Sequence, residues 1–298
     1  DFGALGDGVT DDTAAINRAL SELYCRDTDT RVRRTLYFPA GTYLVTDTIL
    51  IPPYARLIGE GADSSVIKYN SDDSSLVDAV ARTCGNNLET GTNISTSTIT
   101  PRFIEINSLS FETTEDTSIF LADRVQHLHF SNVVFRGDKA ASDFGGTISE
   151  QSALTFDSGA GINTTVKDVV VNHCGFYDCN YGVRVFGDIE RMEKVTVTDS
   201  EFHSLYSGVE ISPSNADSQL WPEGFRIASN SFDRIYARGI HFFRTQYSVS
   251  VGNVFFDVGN ELNTNNDPFD ATFPVVDIAQ SNNVSWSDVF KRKENAVA

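Results

Sequence analysis

The sequence feature that most constrains the fold is the stretch 195–212, which reads VTVTDSEFHSLYSGVEIS. Val195 and Val197 alternate with polar residues, as the residues of a half-buried β-strand do. Phe202 follows after a polar step, and a second short strand then places Glu210 on the face opposite its two apolar neighbours. A unit of this size cannot bury its apolar face alone, so it requires copies of itself on both sides.

Copies of this unit occur along much of the chain, each with an alternating apolar pair followed by a phenylalanine. The phenylalanines are Phe111, Phe135, Phe176, Phe202, Phe232 and Phe256, the last with Phe255 beside it. The other apolar pairs are Ile104 and Ile106, Leu128 and Phe130, Val169 and Val171, Phe225 and Ile227, and Val249 and Val251. The intervals suit coils of a β-solenoid, some with inserted loops. We predict an all-β fold, one right-handed parallel β-helix (a single-stranded solenoid); a β-sandwich is the alternative, but it leaves the recurring phase unexplained.

The chain opens with a glycine-rich turn followed by a helical pattern. Asp11 or Asp12 is placed to cap the helix that follows. One apolar face of this helix is formed by Ile16, Ala19, Leu20 and Leu23. Because the open end of a solenoid exposes apolar side chains and unpaired backbone groups, we predict that this short helix covers that end.

This opening carries a family resemblance. The segments that carry it are DFGALGDGVTDDTAAI at 1–16, LYFPAGTYLV at 36–45 and LIGEG at 57–61. They resemble the start of the pectate-lyase-like β-helix families, which include phage tail spikes, virion appendage proteins and secreted glucanases. The resemblance implies that the opening is a structural cap, so Asp7, Asp11 and Asp12 are not expected to be catalytic.

We predict three parts to the chain: an opening motif and capping helix over 1–34, a β-helix over 35–290, and a tail over 291–298. Loop insertions are predicted near 82–100, 136–152, 213–224 and 257–275, because these stretches interrupt the repeat. The predicted strands of the first coils are Leu36–Phe38, Tyr43–Val45, Thr48–Ile51, Arg56–Ile58 and Val66–Tyr69. Loops on both sides of the strand that carries Glu210 are placed to wall a groove.

Superposing the coils by phase predicts a column of outward-facing residues. Its members, in order along the axis, are Thr155, Arg184, Glu210, His241 and Asp277. A second outward column, two residues further along each strand, holds Asp157, Phe186, Ser212 and Phe243. Aromatic rings stack on the apolar faces of sugars, and charged groups bind their hydroxyls. The predicted substrate-binding residues are therefore Arg184, Phe186, Phe243, Thr155 and Asp157.

Glu210, His241 and Asp277 are the candidate catalytic residues. The two carboxylates would lie two rungs apart, roughly 9–10 Å, at the upper limit for a pair with a water between them. His241 would hold that water or act as a base. Two other interpretations stay open: a binding groove without catalysis, and a ladder of alternating charges that satisfies itself.

Known catalytic signatures are missing from the sequence, so whether the chain is an enzyme is left open. The ordered motifs typical of polygalacturonases do not occur, and the calcium-binding acids and catalytic arginine of pectate lyases are not found. If the chain is an enzyme, the column favours a glycoside hydrolase or a polysaccharide lyase.

Composition excludes several classes of partner. The formal net charge is −18, with 23 Lys and Arg against 41 Asp and Glu, which argues against nucleic acid and anionic membranes. No apolar run is long enough for membrane insertion. No cofactor or metal is predicted, because His127 and His129 lack a third ligand. Cys174 and Cys179 are interpreted as small buried side chains, with a disulfide bridge between them left open.

The resemblance implies a phage or virus tail-spike or tail-fibre-like protein that recognises a host surface polysaccharide. Cleavage of that polysaccharide is left open. It further implies a homotrimer that assembles with other virion proteins, located in the virion tail or an appendage. The alternatives are a secreted extracellular polysaccharide hydrolase or lyase, and a structural virion module without catalysis. No apolar capping pattern follows the last coil, so we expect more chain or partner subunits to cover that end.

Overall fold

The computed structural model describes residues 2–25, 34–70, 78–85, 101–140, 151–157, 165–187, 191–213, 221–259 and 275–291. Over these ranges the chain is a right-handed parallel β-helix with a helix at its start, which confirms the predicted fold. Right-handed coiling is what the twist of parallel strands favours. The centres of the predicted insertions (86–100, 141–150, 214–220 and 260–274) and the tail at 292–298 lie outside the described residues. The division into three parts remains a prediction.

The start of the chain closes one end of the solenoid. Strand β1 (Asp7–Asp11) pairs with the first coil, and helix α1 (Thr13–Tyr24) follows it. The predicted apolar face of α1 is confirmed, with Ile16, Ala19 and Leu20 buried and Leu23 packed against the same core. The helix therefore covers the apolar end of the first coil.

The acidic residues of the opening hold turns rather than a reaction site. Asp12 occupies the N-cap position of α1, but its carboxylate accepts hydrogen bonds from the preceding turn, from Leu5 N and Gly6 N at 2.7 and 2.9 Å. The carboxylate of Asp11 instead accepts from Thr13 N at 3.0 Å, at the first turn of the helix. The sequence left open which aspartate caps the helix; Asp12 occupies the N-cap position, but the carboxylate that accepts from the first turn is that of Asp11.

Each coil visits three faces in turn. The first face comprises β2 (Leu36–Phe38), β5 (Arg56–Gly59), β8 (Arg102–Asn107), β11 (Gln126–Ser131), β14 (Thr165–Asn172), β16 (Arg191–Thr198), β18 (Arg226–Ala228) and the starts of β21 (Val249–Val258) and β23 (Ser285–Lys291).

The second face, called the Phe face, comprises β3 (Gly41–Val45), β6 (Ser65–Tyr69), β9 (Ser110–Thr113), β12 (Val134–Arg136), β19 (Ser231–Ile235), the first halves of β15 (Gly175–Gly187) and β17 (Glu201–Pro213), and the ends of β21 and β23. The third, called the site face, comprises β4 (Ile49–Ile51), β7 (Ala79–Thr83), β10 (Ser118–Asp123), β13 (Ser152–Asp157), β20 (Ile240–Phe243), β22 (Val276–Ala279) and the second halves of β15 and β17.

A stack of phenylalanine rings forms the core behind the Phe face. Its members are Phe111, Phe135, Phe176, Phe202, Phe232, Phe255 and Phe290, with neighbouring ring centroids 4.5–6.0 Å apart. The predicted member Phe256 is wrong, because Phe232 is in register with Phe255 and Phe256 faces outward. Likewise Ser250, rather than Val249 or Val251, lies opposite Ile227. From Ile106 and Phe111 to Ser250 and Phe255, the inward residue of the first face and the residue of the phenylalanine stack stay five positions apart, and this spacing takes precedence over hydrophobicity. The turn before Phe290 is one residue shorter.

Glycines accompany the phenylalanine stack for a steric reason. A Cβ added at Gly182 would lie 2.7 Å from the ring of Phe202 in the next coil. The same atom at Gly208 would lie 2.7 Å from Phe232. Such distances are shorter than any van der Waals contact, so only glycine allows the chain to pass each ring as it enters the site face. This accounts for the phenylalanine-then-glycine phase of the sequence.

Buried polar side chains form a ladder at the corner between the first face and the Phe face. Asn230 Nδ2 donates to Val197 O and to Asn253 Oδ1, both at 2.9 Å, and Asn230 Oδ1 accepts from Ser200 N at 3.0 Å. Asp288 ends the ladder by accepting from Asn253 N. These bonds satisfy backbone groups that the sharp turn leaves without a strand partner.

Two remaining expectations concern the cysteines and the membrane. Cys174 and Cys179 are buried, as predicted, and both are free thiols, so no bridge joins them. Within the described ranges, no helix is long and apolar enough to cross a membrane.

Candidate functional site

The site face presents one column of outward-facing residues in strict register. Its members, called the site column, are Leu50, Arg82, Leu121, Thr155, Arg184, Glu210, His241 and Asp277. The five residues from Thr155 to Asp277 have the order deduced from the sequence. Leu50, Arg82 and Leu121 were missed, because their coils lie beyond the insertion at 136–152 and lack the glycine that marked the later strands. The alternation in AVART at 79–83 was the available signal.

The three candidate catalytic residues are in direct contact. Glu210 Oε1 lies 2.6 Å from His241 Nδ1, and His241 Nε2 lies 3.4 Å from Asp277 Oδ2. The side chain of His241 is 10% exposed, that of Glu210 13% and that of Asp277 24%. The cluster is therefore set into the surface, and Asp277 is the member most accessible to a ligand.

Two residues that the sequence did not single out hold this cluster in place. Ser207 Oγ lies 3.1 Å from Glu210 Oε2 and 3.2 Å from Arg238 O, and its one proton can be donated to either acceptor. Arg238 Nε lies 3.0 Å from Asp277 Oδ2 and forms an ion pair with it. Each carboxylate thus has a partner besides His241, which restricts its rotamers.

The imidazole of His241 occupies the gap between the two carboxylates. In an inverting glycosidase that gap, about 6.5–9.5 Å, holds the attacking water. Here a neutral imidazole can donate to one of the two acids, and a protonated ring can donate to both. The arrangement is suited to holding and transferring a proton, and a water would have to approach from its solvent side.

A cavity of about 370 Å³ lies next to the cluster on the same face. Its walls include the predicted ligand residues Thr155, Arg184 and Phe186, together with Arg82 and Asp123. Arg184 is the neighbour of Glu210 in the site column, so the cavity and the cluster are separated by one rung of about 4.8 Å. The two features form one continuous surface.

Aromatic rings organise the cavity wall. The guanidinium of Arg184 lies 4.4 Å from the ring centroid of Tyr181 and 4.4 Å from that of Phe186. Such contacts fix the plane of the guanidinium. The Phe186 side chain is 54% exposed, which leaves it accessible to a ligand.

The second outward column also has the predicted register. Asp157 is the partner of Asp123, Phe186 is the partner of Ser212, and Phe243 follows in the next coil beside Ala279. Phe243 is half-buried, and Arg244 lies over its ring at 4.9 Å. For Asp157 only the backbone position is described.

Ion pairs that the sequence did not reveal line the far side of the cavity. Arg82 lies 3.3 Å from Asp123 and 3.4 Å from Asp78. Arg124 lies 3.1 Å from Asp123 on its other side. Asp123 is nearly buried, and these cations compensate its charge. The pairing joins residues 41 positions apart, which no local pattern indicates.

His127 and Cys174 have other surroundings in the structure. The ring of His127 stacks on that of Phe103, with centroids 4.6 Å apart, and His127 Nδ1 lies 3.5 Å from Asp168 Oδ2. These two contacts hold the histidine at a corner of the solenoid. No group of three or more His, Cys, Asp or Glu able to hold a metal is found within the described ranges. Burial raises the pKa of the Cys174 thiol to about 12, which keeps it protonated and unreactive.

Comparison with known proteins agrees with the fold. The family described as rhamnogalacturonase A/epimerase, pectate lyase-like, matches residues 1–241. The chain belongs to this family. Membership confirms the predicted relationship to pectate-lyase-like β-helices, and 1–241 includes every site-column residue except Asp277.

Individual relatives of this pectate lyase-like chain match over shorter lengths. A probable glucan endo-1,3-beta-glucosidase of Arthroderma benhamiae is 44% identical over 72 residues, which is 23% of this chain and 8% of that protein. The mannuronan C5-epimerase AlgE2 of Azotobacter vinelandii is 40% identical over 75 residues, 23% of this chain and 7% of that protein. The matches span less than a tenth of these curated relatives.

One solved structure extends the comparison to nearly the whole chain. The pre-mature bacteriophage phi29 gene product 12 has a TM-score of 0.55 and 12% identity, covering 96% of this chain and 41% of that one. At this identity the likeness shows a shared fold.

Proposed function

We propose that this chain binds an extended polysaccharide along its site face and cleaves it at Glu210, His241 and Asp277. The observation that carries the proposal is the adjacency of two features in one column. A cavity with an exposed aromatic ring lies one rung from an acid–imidazole–acid cluster. Rings stack on sugars, and carboxylates accept from their hydroxyls.

The biological setting we propose is a tail-spike or tail-fibre-like appendage of a phage or virus. In this setting the chain recognises a host surface polysaccharide, and the protein is located in the virion as a homotrimer with other tail proteins. The pectate-lyase-like family and the resemblance of the opening motif support this setting. Phe186, Phe243, Arg184, Thr155 and Asp157 contact the glycan, and no nucleic acid or cofactor takes part.

In the cleavage step, proton transfer is the contribution of the cluster. Asp277, the most exposed of the three, protonates the glycosidic oxygen as the bond to the anomeric carbon breaks. A water molecule from the solvent side adds its hydroxyl to the anomeric carbon, and its remaining proton restores Asp277, which exchanges protons with His241 Nε2 while Glu210 orients the ring through Nδ1. Ser207 and Arg238 keep the two carboxylates in position.

The test is release of reducing ends from host surface polysaccharide by the wild type and by Glu210→Gln. We expect the substitution to reduce the rate by roughly 100-fold or more with binding retained, because a neutral amide no longer orients the imidazole that takes part in the general acid–base step. Glu105→Gln is the matched control, because Glu105 is an ion-paired glutamate on the first face, 41% exposed. Equal rates in wild type and Glu210→Gln would remove Glu210 from the mechanism.

A second candidate function is a secreted polysaccharide hydrolase that acts as a monomer. The observation in its favour is the 44% identity to a protein named as a glucan endo-1,3-beta-glucosidase. Light scattering separates the two settings: a trimer supports the appendage, and a monomer that cleaves β-1,3-glucan supports the secreted enzyme.

A structural module without catalysis is the third candidate, and the complete pairing of the cluster favours it. Glu210, His241 and Asp277 all have partners, as in a charge ladder that only stabilises its sheet. Absence of both glycan binding and cleavage in the folded protein would decide for this candidate.

A further inference from the structure

We infer that the polysaccharide bound on the site face is uncharged. This inference rests on the proposed function and names the class of its ligand. A polymer of sugar acids brings one negative charge with each acidic residue, and such a ligand is usually met by cations whose charge is available to it. On the site face, Arg82 and Arg238 are instead paired with carboxylates of the protein itself.

Of the two arginines that line the cavity, Arg184 is packed between the rings of Tyr181 and Phe186, and Arg82 is already committed to carboxylates. Arg82 lies between Asp78 and Asp123, at 3.4 and 3.3 Å. Arg124 lies 3.1 Å from the other oxygen of Asp123. The side chain of Arg82 is 16% exposed, so its charge is neutralised within the wall of the cavity. An incoming carboxylate would have to displace a protein carboxylate from it.

The same holds at the cluster. Arg238 forms an ion pair with Asp277 at 3.0 Å, and both nitrogens of His241 face carboxylates. Glu210 and Asp277 present carboxylate oxygens near the ligand path, and these accept hydrogen bonds but cannot donate them when ionised. Sugar hydroxyls are donors that suit them, whereas a second carboxylate would be repelled.

The net charge of the whole protein also disfavours an acidic ligand. A net charge of −18 repels a polyanion at distances beyond direct contact, although salt limits this to about 8 Å under physiological conditions. Apolar contact is available in compensation, because Phe186 is 54% exposed in the cavity wall. Stacking on this ring does not depend on ligand charge.

The experiment uses the full chain and an array of neutral glucans, mannans and galactans, each printed beside its derivative oxidised at the primary alcohol to the uronic acid. We expect binding to at least one neutral polymer and at least about tenfold weaker binding to its oxidised form, since each added charge is repelled. Binding that is equal or stronger for the oxidised form would overturn the inference and leave the proposed function standing. Binding to neither form would overturn both.

A gain-of-function variant tests the cause. Asp78→Asn removes a carboxylate from Arg82 at a side chain that is 80% exposed, so the fold tolerates it. We expect its affinity for the oxidised polymer to rise severalfold, with a steeper dependence on salt. Glu105→Gln removes the same charge from the first face and is expected to leave that affinity unchanged. A rise of equal size in both variants would show that net charge, rather than the site face, excludes the acid.

Discussion

Gly208 must be a glycine, because its neighbours leave no room for a side chain. A Cβ added there would lie 2.5 Å from the Gly239 carbonyl oxygen and 2.7 Å from the Phe232 ring. Both neighbours belong to the next coil, whose position is set by strand pairing. Neither can move without disturbing the stack of rings.

We therefore expect Gly208→Ala to lower the free energy of unfolding by about 1–3 kcal/mol, the usual cost of overpacking a core. Urea unfolding followed by circular dichroism measures it. Gly61→Ala is the control, because a Cβ there would meet only Ser64 Oγ, at 3.4 Å. Equal stability of the two variants would contradict the steric explanation of the glycine phase.

Asp11 couples the capped end of the solenoid to pH. Burial opposes ionisation of its carboxyl, but hydrogen bonds from Thr13 and Thr46 outweigh this and lower its pKa below the ordinary 3.8. A group whose pKa is lowered by folding stabilises the protein above its unfolded pKa, and this contribution is lost as the pH falls through the folded value.

We expect the melting temperature of the wild type to exceed that of Asp11→Asn above pH 3.8 and the difference to shrink below it. Thermal unfolding followed at a series of pH values around 3.8 measures this. A difference between the two proteins that stays constant as the pH is lowered would show that the charge of Asp11 does not contribute.

At the scale of elements, the corner between the first face and the Phe face depends on side chains as much as on strand pairing. Asn230 binds Val197 O and Ser200 N in the preceding coil and Asn253 in the next coil. Truncation of Asn230 leaves at least two buried backbone groups without partners. The strands on both sides of the turn would lose a link between coils.

Asn230→Ala is accordingly expected to destabilise the protein by about 1–3 kcal/mol, the cost of leaving buried polar groups unsatisfied. Asn107→Ala is a matched control in an earlier coil, because Asn107 is exposed and its side chain accepts from Ser108 Oγ on the surface. Denaturant unfolding compares the two. A cost as large for Asn107→Ala would show that the corner does not depend on the buried ladder.

At the scale of the molecule, the two ends of the solenoid differ. Helix α1 covers one end, whereas the last described strand, β23, pairs with β21 and exposes Trp286, Val289 and Phe290 at 54, 49 and 46%. An exposed apolar edge strand favours pairing with another chain, and a net charge of −18 opposes it.

The sequence isoelectric point is about 4.5, so this repulsion weakens as the pH is lowered toward that value. We expect light scattering to show self-association near that pH, and we expect Trp286→Lys to reduce it. Tyr247→Lys, at an aromatic residue 62% exposed on a corner, is the control. Association unchanged by Trp286→Lys would mean that another surface is responsible.

The solenoid and the order of its outward residues follow from local information. The alternation around Val195 and the phase of Phe202 place Glu210 outward, and repetition carries this to Arg184, His241 and Asp277 without knowledge of distant contacts. The roles of these residues remain predictions. Their register could be predicted because stacked coils repeat one backbone geometry.

Only the tertiary structure decided how the outward side chains meet. His241 lies between Glu210 and Asp277 because its ring spans adjacent rungs, and Arg82 reaches Asp123 across an insertion of unpredictable length. Phe255 replaced Phe256 because the turn before it has the same length as the turns of the coils that precede it. Periodicity determines which side of a strand a residue occupies, whereas contacts depend on rotamers and insertion lengths that no repeat encodes.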